Sequence, residues 1–196
     1  MLFEFVLAAG LLLAQSPCSS ALKLNAKSSA THLQARDSTE TFSLYAYGSN
    51  NEGSVIGGAR IFYADGKAYL GSGTPSSASV VTNITFTTSS ENSTFEVEPK
   101  NSTASSVSGQ LLYVNADDGA YDQVSFVSSS NNSSSDFVLY GKVVILDSSS
   151  SIQTKFYAWP SDDDSVWALK WNSDGETDTS SIPVSLRTVA PSSSYF

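Results

Sequence analysis

"ARIFYADGKAYLG", residues 59–71, decides how this chain folds. Two apolar runs flank Asp65-Gly66, and Asp-Gly between alternating apolar residues is the strongest short-range signal for a β-hairpin. The same grammar continues outward in both directions. "TFSLYAY" (41–47) sets Phe42, Leu44 and Ala46 against Ser43, Tyr45 and Tyr47, the period-2 alternation of a half-buried strand. Further runs follow at 79–88, 94–98, 110–115 and 123–128. In "DFVLYGKVVIL" (136–146) Phe137, Leu139, Val143 and Ile145 are expected to share one face, with Gly141 bending a single long strand. "IQTKFYAW" and "SVWALKW" flank Pro160-Ser161-Asp162-Asp163-Asp164 as a second hairpin, and "PVSLRTV" closes the series. About ten strands with turn signals between them predict an all-β fold, an antiparallel sandwich or, alternatively, a closed or flattened β-barrel.

The ends read as processing signals. Phe5 to Ala14 form an apolar run too short to span a bilayer, and Ser19-Ser20-Ala21 supplies the small residues of a cleavage site, so 1–21 is expected to be an export signal. Residues 22–36 are basic and end at Arg36, as a pro-segment or an attached linker would. Residues 37–196 then form a single all-β domain, a length that can bury its own core. That domain holds seven Lys and Arg against eighteen Asp and Glu. So acidic a chain has no footprint for nucleic acid or an anionic membrane.

Its single Cys (Cys18) and single His (His32) both precede residue 37. Thiol nucleophiles, Ser-His-Asp triads, His-based zinc sites and disulfides therefore drop out together. Carboxylates remain, at Asp117, Asp118 and Asp122, at Asp162 to Asp164, and at Asp174, Glu176 and Asp178. A glycosidase needs two of them across a sugar bond, but all cluster where Asp serves as a turn former. Asp174, Glu176 and Asp178 alternate as oxygen ligands of calcium do, without the full loop pattern of a known calcium motif. No cofactor is expected and no residue is assigned a catalytic role.

Two features point outward. Asn83, Asn92, Asn101, Asn131 and Asn132 lie in N-x-[ST] acceptors, five of the nine Asn in 37–196. Strand parity puts Asn83 opposite Ile84 and Phe86, facing water. Tyr157, Trp159, Trp167 and Trp171 fall on one parity of the second hairpin. They suit a platform for stacking sugar rings, or else a core face, and Leu169 between the two tryptophans speaks for the core.

With "FSLYAYG", "IFYADGKAYLG", "VTNITFTTSS", "VWALKWN" and "IPVSLRT" in view, residues 42–189 resemble a group of small secreted proteins of filamentous fungi. The resemblance implies an extracellular or wall-associated place and brings no activity, cofactor or catalytic residue with it. The expectation is a secreted, N-glycosylated, non-catalytic β protein whose partner is cell-wall polysaccharide or a host protein. The alternative is a carbohydrate-binding domain or a carboxylate-only glycan enzyme.

Overall fold

In the computed structural model, residues 40–88, 93–128, 135–148, 151–174 and 180–192 are described. The leader 1–21, the segment 22–36, the acceptors Asn92, Asn131 and Asn132, and Glu176 and Asp178 lie outside the described residues. The chain runs through β1 (Thr41–Phe42), β2 (Tyr45–Ser49), β3 (Val55–Ala64), β4 (Lys67–Gly71), β5 (Val81–Thr88) and β6 (Phe95–Pro99). A short 3-10 helix, Ser102–Val107, leads into β7 (Gln110–Tyr113), β8 (Tyr121–Gln123) and β9 (Ser125–Ser128). Then come β10 (Phe137–Tyr140), β11 (Val143–Ser148), β12 (Ser151–Gln153), β13 (Phe156–Pro160), β14 (Val166–Asn172) and β15 (Ile182–Arg187).

The hairpin at Asp65-Gly66 forms as its sequence indicates. Both residues take positive φ, 43° and 81°, as a two-residue type I′ turn requires. Ala64 pairs with Lys67 across it, and the ladder runs back to Ile61 and Leu70.

This hairpin organises everything else, because each of its strands serves two neighbours in succession. The outer edge of β3 pairs first with β2, from Val55 to Arg60, and then with β5, from Phe62 to Ala64. The outer edge of β4 meets β9 at Lys67 and β14 from Tyr69 to Gly71. From β5 the wall continues through β6 and β7 to β9, and from β2 through β15 and β13 to β14. The result is an all-β, antiparallel barrel, closed by ten strands, with the β3–β4 pairing running across the ring. Of the two arrangements that the turn spacing allows, the strands take the closed one, which leaves few free edges.

One continuous core fills the interior. Leu44 just before β2, Ala46 from β2, Ile61 and Tyr63 from β3, Phe86 from β5 and Leu169 and Trp171 from β14 all belong to it. A ladder of aromatic contacts crosses it, from Phe86 to Phe95, Phe137, Phe156 and Trp171. A smaller cluster of Phe62, Ala64 and Val166 lies on the opposite face of the hairpin.

Two details depart from simple alternation. Ile56 and Ile61 are both buried, although five residues apart they would face opposite sides of a regular strand. A bulge reconciles them: Ala46 pairs with Ala59 but Tyr47 pairs with Gly57, leaving Gly58 as the extra residue at φ 107°. The second is Gly141. It does not bend a long strand, contrary to the expectation from the sequence. It takes φ 63° in a two-residue turn, with Tyr140 paired to Val143, so 137–148 is a hairpin. Glycine at the first central position matches a type II′ turn. The fold-back also changes the faces. Phe137 and Leu139 share theirs with their partners Leu146 and Val144, not with Val143 and Ile145.

Candidate functional site

Directly paired residues of an antiparallel ladder lie on the same face. On β13 and β14, Phe156 pairs with Trp171, Ala158 with Leu169 and Pro160 with Trp167, while Tyr157 pairs with Lys170 and Trp159 with Ala168. The four aromatics proposed as one platform therefore divide two and two. Trp167 and Trp171 face inward: Trp171 is 0 % exposed, edge-on to Phe156 with ring centroids 4.9 Å apart, and Trp167 packs against the core. The indole Nε1 of Trp171 is buried without an acceptor among the described residues, so the position uses the ring for its volume. Tyr157 and Trp159 face outward and are half-buried. The platform as drawn from sequence parity does not exist.

A different aromatic group takes its place on the outer face. Strand β8 adds to the free edge of β14, with Gln123 opposite Lys170 and Tyr121 opposite Asn172. This sets Tyr121 and Trp159 diagonally on either side of Lys170. The Lys170 ammonium sits 4.4 Å from the centroid of each ring, and the two rings meet edge to face at 5.7 Å. A cation within about 6 Å of a ring face is held by the ring quadrupole. One ammonium thus fixes the orientation of both rings, and Tyr157 continues the row beside them. Chemically this is a rigid, half-exposed aromatic surface with one positive charge set into it.

The sequence did not point to Tyr121 or Lys170. Tyr121 belongs to a stretch with the look of an acidic loop, and Lys170 reads as an ordinary solvated residue between two tryptophans. Tyr121 reaches Lys170 through the pairing of β8 with β14, and Trp159 reaches it through the register of the β13–β14 hairpin, whose irregular turn leaves parity open.

Among the described residues the candidate carboxylates lie in turns and loops, except Asp122, which is part of β8. Asp122 accepts from the Asn115 side chain at 2.8 Å, and Asp163 accepts from the Ser76 backbone N–H at 3.0 Å. Asp174 accepts from the Gly119 N–H at 2.9 Å. Among the described residues no three acidic, His or Cys side chains gather as metal ligands. Asp65 carries a role beyond its turn. Its carboxylate accepts from the N–H groups of Ser79 and Val80, both at 2.8 Å, pinning the loop 72–80 to the hairpin tip. The Ser79 bond first, and the Val80 bond with it, hold the carboxyl below its ordinary range.

Both acceptor asparagines within the described residues are exposed. Asn83 stands on the outer face of β5 opposite Phe62. Asn101 caps the 3-10 helix, its Oδ1 accepting from the Thr103 N–H, which leaves its amide nitrogen free of that bond. Compared with protein-family models, with curated proteins and with solved structures, the chain finds no match.

Proposed function

We propose that this chain is an exported, N-glycosylated, non-catalytic β-barrel protein of the cell surface or wall, which holds polysaccharide on its outer aromatic face. The observation that carries the reading is the Tyr121–Lys170–Trp159 group. Sugar rings present C–H faces that stack on aromatic rings, and rings already fixed in place lose little freedom on binding. Export is supported by the apolar leader, and glycosylation by two acceptors that stand in water on the barrel. The absence of His and Cys after residue 36, together with Asp122, Asp163 and Asp174 bonded to side-chain or backbone donors, argues for binding without turnover.

The test is retention of the purified domain on chitin, β-glucan, mannan and cellulose. Trp159→Ala and Tyr121→Ala should each weaken retention about tenfold, the loss of one good stacking contact, while the fold survives. Failure to bind any of these polymers would sink the reading and turn the search to protein partners. Intact mass before and after enzymatic glycan removal checks the acceptors, with Asn83 and Asn101 converted to Asp where sugar was attached.

A further inference from the structure

A second place on the barrel has the makings of a ligand site. A half-open pocket of about 450 Å³ lies on the outer face where β3 passes from β2 to β5, roofed by the loop after β4 and by Pro191. Its size is within the range of small-molecule sites, about 300–1,000 Å³. The Gly58 bulge makes the room: a side chain there would meet Pro191 at 2.9 Å. Arg60 lines the pocket together with Phe62, Thr74, Thr82 and Asn83.

Arg60 is the unusual member. Its Nη2 donates to Ser43 Oγ at 2.8 Å and to the Ile84 carbonyl at 3.2 Å, which fixes the plane of the guanidinium. Its Nε is buried with no acceptor, and Nη1 bonds to nothing among the described residues. The chain has 19 acidic residues to 10 basic ones, yet none of the described carboxylates is bonded to this half-buried cation. Nε is sealed from solvent, so Nη1 is the donor left to an arriving anion, and a half-buried cation with no counter-charge bonded to it gains from one. Lys170, by comparison, has two rings around it.

We infer that this pocket binds a small sugar acid, with its carboxylate on Arg60, its hydroxyls on Ser72 and Thr74, and its ring against Phe62. An anchored guanidinium suits a planar carboxylate. Hydroxyl partners beside an aromatic edge suit a polyhydroxylated ring more than a simple fatty or aromatic acid. The site is separate from the Lys170 face and does not depend on it. Asn83 is also a glycan acceptor, so a sugar attached there would stand at the mouth of the pocket, and the site is open in the unglycosylated chain.

The experiment is titration of the unglycosylated domain with glucuronate, glucose and acetate, followed by calorimetry and by amide shifts around Thr82. Glucuronate should bind about tenfold or more tighter than either control, since it alone offers both the charge and the hydroxyls. Arg60→Gln should abolish that preference. Thr74→Glu, in an exposed loop that leaves the strands untouched, should weaken glucuronate several-fold by placing a like charge in the site, and it keeps the test decisive should Arg60→Gln fail to fold. Trp159→Ala should leave glucuronate binding unchanged. Glucuronate binding no tighter than glucose or acetate, or unaffected by Thr74→Glu, would overturn the proposal.

Discussion

Trp171 and Trp159 belong to the same hairpin and have opposite fates. One lies inside the barrel with no solvent exposure, wedged edge-on against Phe156. The other lies outside, held by a lysine and a tyrosine that come from two different strands. Chemistry does not separate them, since both are indoles on adjacent strands. Register does. The inner face spends its aromatics on volume and tolerates an unmet indole N–H to have it. The outer face keeps its rings accessible and steadies them with a charge. Richness in aromatics is thus a property of the hairpin, whereas readiness to bind is a property of one side of it.

That contrast can be broken by mutation. The largest effect should come from Trp171→Ala, which empties a fully buried position in the aromatic ladder. A loss of about 3–5 kcal/mol is expected, measurable by urea unfolding, with polysaccharide retention unchanged in whatever fraction remains folded. Retention lost by the folded fraction would mean that the two faces are not independent. Lys170→Met keeps the aliphatic stem and removes the ammonium. It should cost about 0.5–2 kcal/mol and loosen both rings, seen as a change in Trp159 fluorescence without a change at Trp171. A silent Lys170→Met would leave the outer rings held by packing alone.

The smallest effect concerns the opposite end of the β3–β4 hairpin. Because the folded Asp65 carboxyl is held below its ordinary range, its contribution is complete above the ordinary carboxylate value and is lost as pH falls through the lowered one. The amides of Ser79 and Val80 should therefore lose exchange protection in acid before the barrel strands do. Asp65→Asn keeps a residue that tolerates the left-handed turn, and should remove this pH dependence while leaving the hairpin intact.

How far the sequence carries depends on how tightly each turn fixes its strands. At Asp65-Gly66 two residues set both the turn type and the pairing, so 59–71 was legible to the residue. The β13–β14 hairpin was legible as a hairpin but not in its faces, because the residues 161–165 between its strands allow either parity. Gly141 was ambiguous for a related reason. Apolar residues on both sides continue one alternating pattern whether the strand bends or folds back, and Gly-Lys is a weaker turn signal than Asp-Gly. The Gly58 bulge is hidden among adjacent glycines that carry no pattern. Both candidate sites depend on these unread features. Lys170 meets its rings through register, and the pocket at Arg60 opens beside the bulge.

The sharing of the β3–β4 hairpin bears on how the molecule comes apart. Both arcs of the wall start and finish on these two strands, β5 to β9 on one side and β2 to β14 on the other. Neither arc is a subdomain that could persist while the other melts, since each would lose its closing edge. Three pairings that complete them, β2 with β15, β4 with β14 and β4 with β9, join strands distant in the chain, and such closures are slow to find during folding. Assembly then resembles fastening a belt around a buckle that must already be set, and a chain with this plan should leave its folded state in one step.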